Sequence, residues 1–253
     1  MSAHLKTSLL YEPHFRWRAT EITRLEGFSD AVFAFAVTLL VVSLEVPKSF
    51  TELVAVMKGF VAFGICFAML VLVWKEHTVF FRRYGLQTAP IIVLNSALLF
   101  VVLLYVYPLK FLFGMIVGEF SGGLLAVHTA EAPITQQQIP SLMMMYGLGF
   151  AAVYLILALM YRYAYNRRQE LELDAIEVFM TQRSILDHLA MMSIGLLSTV
   201  LALTLPVSIA GLSGMTYWLI PFYYTAAGMT LGRRERRMTS DSSKAVGKKH
   251  AKA

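Results

Sequence analysis

The sequence predicts an all-α, polytopic membrane protein with six transmembrane helices, and three observations lead there. Hydrophobic residues make up 57% of its 253 positions, above the roughly 45–50% of an ordinary soluble domain, and the mean hydropathy is +0.62. Six apolar segments, at 25–46, 54–75, 89–113, 141–162, 184–205 and 207–230, reach the ~20 residues needed to cross a hydrocarbon core of ~30 Å. Lys48, Lys58 and Lys110 fall on one side of that topology and every other Lys and Arg on the other. Such a bias favours an even number of spans and places both termini in the cytoplasm. The net charge of +6 is thus a topological signal, and it does not imply nucleic acid as a partner.

Residues 1–23 are polar and aromatic and lack the apolar core of a secretory signal, so insertion is expected to use the first span. That span reads RLEGFSDAVFAFAVTLLVVSLEV over 24–46, with Arg24, Glu26, Ser29 and Asp30 in its opening turns. Ionisable groups at a membrane helix are tolerated when they face protein or water, and Ala31, Ala34 and Ala36 admit other helices closely. This is therefore the helix expected to carry function. Pro47 closes it. The second span holds Cys66, the single cysteine, which excludes a disulfide within the chain. The connection 114–140 reads as a plain outer loop more than a re-entrant helix, and His128 with Glu131 in it are too few to ligate a metal. Pro140 opens the fourth span. Apolar residues of 163–183 recur at helical spacing between acidic ones, predicting an extension of the fourth or fifth span toward the cytoplasm. Asp187 and His188 are adjacent, hence ~100° apart on a helix, and suit a cap better than a dyad. Near Pro206 the fifth and sixth spans turn, either at 205–208 or at 210–214. Tyr105, Tyr107, Tyr217 and Trp218 are assigned to an outer aromatic belt. The chain thus divides into a membrane domain, 1–232, and a basic tail, 233–253, which is expected to be disordered or to rest on anionic lipid.

On the first helix Phe35, Thr38, Leu39 and Val42 share a face by i, i+3, i+4, i+7 spacing. Four copies around an axis would make an apolar tube carrying one ring of hydroxyls, the kind of constriction that gates by dewetting. No TVGYG filter sequence occurs. Trp74 and His77 lie one turn apart at the depth of residues 24–30, so a network of Arg24, Asp30 and His77 with Asn95 nearby is physically sensible.

R-x-x-x-F-S-D over 24–30 resembles the signature of the transmembrane-protein-175 family. The AVFAFAVTLLV continuation, Trp74, His77 and Asn95 are similar too, so the likeness covers the first three helices well and the rest by helix number and length. The resemblance implies a homotetrameric, potassium-permeable channel, which in this chain would lie in a prokaryotic plasma membrane. Potassium, with other monovalent cations beside it, would be the permeant species, and no cofactor is implied. It assigns selectivity to a hydrophobic ring at Phe35, assisted by Thr38, and the inner-mouth motif to Arg24, Phe28, Ser29, Asp30, Trp74, His77 and Asn95. Phe35 departs from the family's usual Ile or Leu: four phenyl rings would either close the pore or swing aside and leave Leu39 narrowest. The inner network is either a static clasp or a coupling of opening to protonation of His77. No HExxH, GxSxG, P-loop or CxxC pattern suggests an enzyme. The alternative is a proton-coupled secondary transporter, which needs midplane ionisable groups and broken helices in both halves; Gly64, Gly147, Gly149, Gly195 and Pro221 offer weak breaks, but the central turns lack Asp and Glu.

Overall fold

Apolar runs bounded by capping side chains become helices in the computed structural model, which describes residues 15–19, 21–42, 47–122 and 134–230, with only the backbone of Val42 and Ala55. Helix α1, Arg24–Val42, opens on a reciprocal cap in which Thr23 Oγ1 accepts from the Glu26 amide at 3.2 Å and Glu26 Oε2 accepts from the Thr23 amide at 2.9 Å. Helix α2, Phe50–Tyr84, is capped by Ser49 and ends at Gly85, whose φ of 61° suits a residue without Cβ. Helix α3, Ala89–Phe120, runs on through Pro108. A short turn, Gln136–Gln138, leads into α4, Ile139–Asn166. Helix α5, Ala175–Thr204, starts where Asp174 Oδ1 accepts from the amides of Ile176 and Glu177, both at 2.8 Å. A 3-10 segment, Val207–Trp218, then precedes α6, residues 219–230.

All described secondary structure is helical. The α2, α3, Gln136–Asn166 and α5 helices are long and apolar enough to cross a membrane. At ~1.5 Å per residue, the 35 residues of α2 exceed a ~30 Å core, so its ends project beyond it.

Three expectations change. The sixth segment is not one α-helix, because its first 12 residues are 3-10. Ala210, Ser213 and Thr216 are the buried residues there, and that spacing of three is the 3-10 repeat. Second, residues 114–120, expected in a loop, continue α3, while His128 and Glu131 fall outside the described residues, as does the tail from 231. Third, two of the four belt aromatics pack inward: Tyr105 Oη donates to the Tyr146 carbonyl at 2.9 Å, and the Tyr217 ring lies 5.1 Å from Phe150. Tyr107 and Trp218 are exposed.

The helices pack most closely where α4 meets α5. A Cβ on Gly147 would lie 2.7 Å from the Gly195 carbonyl oxygen, and one on Gly195 would lie 2.8 Å from the Gly147 oxygen, so glycine alone permits this crossing. Asp187 and His188 of α5 pack on different helices: Asp187 accepts from Tyr223 Oη of α6 at 2.8 Å, and the His188 ring stacks on Tyr161 of α4 at 5.0 Å.

Residues 15–19 lash the other end together. Phe15 is buried edge-on against Tyr84 at 5.6 Å, with the Arg83 guanidinium 4.9 Å from its centroid. Arg18 donates to Glu177 Oε2 at 2.6 Å and to the Leu171 carbonyl at 2.7 Å, and its amide bonds the Arg82 carbonyl at 3.1 Å. The ends of α2, α4 and α5 are thereby joined at one point.

Candidate functional site

The 3.6-residue repeat gives α1 two unlike faces. Glu26, Ser29, Phe33, Ala36 and Leu40 are buried against the subunit, whereas Arg24, Gly27, Phe28, Ala31, Phe35 and Thr38 are exposed. Phe28 and Phe35 are 59% and 56% exposed, and seven residues apart they stand in one column. Leu39 lies to the side of that column, half-buried, and the side chain of Val42 is outside the description.

What sets this rotation is a chain of hydrogen bonds on the buried side. Ser29 Oγ donates to the Leu25 carbonyl at 2.8 Å and accepts from Asn95 Nδ2 at 2.9 Å. The Asn95 amide nitrogen is thus committed, so its Oδ1 accepts, and His77 Nε2, 2.8 Å away, carries the proton it receives. His77 thus holds a proton on Nε2, while its buried Nδ1 has no hydrogen-bond partner among the described residues. Phe33 and Phe81 pack on the ring at 5.6 and 4.7 Å. Separately, Trp74 Nε1 donates to Asp30 Oδ1 at 2.7 Å. One α2 residue and one α3–α2 relay therefore hold one turn of α1.

The expected network of Arg24, Asp30 and His77 accordingly resolves into two, Asp30 with Trp74 and Ser29 with Asn95 and His77, and Arg24 is in neither. Six residues along a helix place Arg24 and Asp30 ~120° apart, so Arg24 joins Phe28 on the exposed face. Glu26, read from the sequence only as one of the charges of the opening turns, is the buried carboxylate of this turn: it caps Thr23 and lies 4.0 Å from Arg82 Nε. The T-x-x-E spacing over 23–26 was the available signal. Lys110, read only as a topological charge, donates to the Leu40 carbonyl at 2.8 Å and ties α3 to the far end of α1.

A groove beside the exposed face runs between α1 and α2, lined by Phe33, Ala34, Val37, Leu70 and Val71, with Asp30 and Trp74 at one end. Comparison with known proteins places this geometry. A protein of Marivirga tractuosa named potassium channel is 39% identical over 236 residues, covering 90% of this chain and 95% of that one. The chain belongs to the TMEM175 family. Its residues 24–105 match the family described as endosomal/lysosomal potassium channel TMEM175, a stretch that holds Phe35, Thr38, Leu39 and Val42 and the relay of Ser29, Asn95 and His77. The crystal structure of the T38A variant of the potassium channel MtTMEM175, in complex with a nanobody fusion, shares 38% identity at a TM-score of 0.76, over 90% of this chain and 99% of that one. A lysosomal potassium-selective channel TMEM175 homolog from Chamaesiphon minutus shares the fold at a TM-score of 0.53 and 21% identity, covering 82% and 98%.

Proposed function

We propose that four copies of this chain surround an axis lined by α1 and pass potassium passively along it. The observation that carries this reading is the bare face of α1, where two phenyl rings and a threonine stand exposed on a helix whose opposite face is sealed by its own subunit. Gly27, Ala31 and Ala34 beside them are small enough for neighbouring copies to approach. The names of the similar proteins, all potassium channels, support the choice of ion.

In such a tetramer Phe35 forms an apolar ring that gates by dewetting. Thr38 follows one turn on. Its hydroxyl proton is given to the Ala34 carbonyl at 2.9 Å, so the exposed side of the oxygen offers lone pairs. Four such oxygens replace part of an ion's hydration without holding it tightly, which conduction requires. Val42 continues the wall and Leu39 backs it. The Ser29, Asn95, His77 relay and the Asp30 to Trp74 bond act as a clasp that keeps Phe35 turned to the axis. The distribution of Lys and Arg supports cytoplasmic termini, the likeness to the Marivirga tractuosa protein supports a prokaryotic plasma membrane, and residues 1–232 are the channel with 233–253 a basic tail.

Purified protein in potassium-loaded liposomes tests conduction itself. Potassium efflux that scales with protein and requires no proton gradient is expected; efflux no faster than from empty liposomes, or strictly coupled to proton entry, would overturn the reading.

A further inference from the structure

The outer face of α4 carries an apolar stripe that ends in charge. Met145, Leu148, Leu155 and Leu159 are exposed along it and Arg162 comes next. From Met145 to Arg162 the helix rises ~25 Å, close to the ~30 Å of a hydrocarbon core, so Arg162 stands at headgroup depth. The Tyr165 ring follows one turn later, fixed by Gln182 Nε2, which donates to its Oη at 2.9 Å. Two guanidinium groups converge on that ring, Arg162 at 5.6 Å and Arg168 at 4.8 Å from the centroid.

Neither of these two guanidiniums meets a carboxylate among the described residues, although the intervening Arg167 does, at 2.7 Å from Glu170 Oε2. Like charges gathered on one ring repel unless an anion lies between them. The negative end of α4 accounts for Arg168, which bonds the Tyr165 carbonyl at 3.3 Å, but not for Arg162, nearly two turns back. We propose that Arg162, Tyr165 and Arg168 form a binding site for an anionic membrane phospholipid, its phosphate against the guanidiniums at the Tyr165 ring and an acyl chain along the α4 stripe. Planar guanidiniums match phosphate oxygens, and the stripe supplies the apolar part that free phosphate lacks. This inference rests on α4 crossing the membrane with this stripe toward lipid and does not depend on ion conduction.

The test titrates detergent-solubilised full-length protein with dioleoylphosphatidylglycerol, followed by native mass spectrometry. Removing each guanidinium should weaken binding about five-fold, and R162Q with R168Q correspondingly more, while R167Q stays within two-fold of the wild type. Dioleoylphosphatidylcholine should bind all of them equally, and inorganic phosphate should not displace the bound lipid. Equal losses in R167Q and the double variant, or displacement by phosphate, would overturn the site. Should the double variant not fold, amide exchange of the wild type reads the same question: residues 166–172 should exchange more slowly in phosphatidylglycerol nanodiscs than in phosphatidylcholine nanodiscs, and no difference would sink the proposal.

Discussion

Asn95 serves two helices with one amide, donating to Ser29 of α1 and accepting from His77 of α2. Replacing it by Ala leaves the buried His77 Nε2–H with nothing to bond and takes from Ser29 Oγ the donor it accepts from, although Ser29 keeps the Leu25 carbonyl. Each unmet group costs ~1–3 kcal/mol, so Asn95→Ala is expected to lose about 3 kcal/mol, seen as a lowered thermal midpoint in detergent. Arg24→Ala should change the same midpoint little, within ~0.5 kcal/mol, because an exposed side chain outside such features contributes little. Asp30→Ala removes the acceptor of Trp74 and should lower the tetrameric fraction more than it alters ion preference. A stable tetramer with wild-type flux would contradict the clasp. At this scale the sequence made the participants legible and not their pairing. The motif over 24–30, Trp74, His77 and Asn95 could all be found from the chain, but which of them touch depends on how α2 and α3 are rotated against α1. Glu26 is legible as a charge of the opening turns, and its T-x-x-E spacing marks it as a cap.

Among the elements, α4 and α5 depend on the absence of side chains at their crossing. Gly195→Val is expected to drive the pair apart and lower the yield of folded protein, because the obstructing atoms belong to the backbone of α4 and cannot swing away. Gly64→Ala is the control, since nothing lies within 4 Å of a Cβ there; it should express and melt like the wild type or slightly higher. Size-exclusion recovery and thermal melting read both. Helices α2 to α5 were legible as long apolar runs with caps and prolines at their ends. The 3-10 segment was not, because an apolar run looks the same whether it winds at 3.6 or 3.0 residues per turn. Only the small residues at 210, 213 and 216 hinted at the tighter repeat.

For the whole subunit, the five residues 15–19 do more than their number suggests. Arg18→Ala would leave the Glu177 carboxylate, only 3% exposed, without its cation. Breaking a buried pair by removing one partner costs ~3–5 kcal/mol, and the loss is expected at the lower end of that range because the Arg16 amide still donates to Glu177 at 2.8 Å. Urea unfolding should show Arg18→Ala less stable than Glu177→Gln, which keeps hydrogen bonding while removing the buried charge. From the sequence these arginines carry a topological meaning alone; their contacts to Leu171, Glu172 and Glu177 span more than 150 residues and no local pattern announces them. The proposed tetramer and its axis stand on a surface of the same subunit, the exposed column of Phe28, Phe35 and Thr38. The most direct measurement is the reversal potential of purified protein in a planar bilayer with potassium on one side and sodium on the other, for the wild type and for Phe35→Ala. If that column lines the ion path, the wild type reverses near the potassium side's preference and Phe35→Ala conducts more and shifts toward zero. Identical conductance and reversal in the two proteins would mean that this face of α1 does not meet the ions.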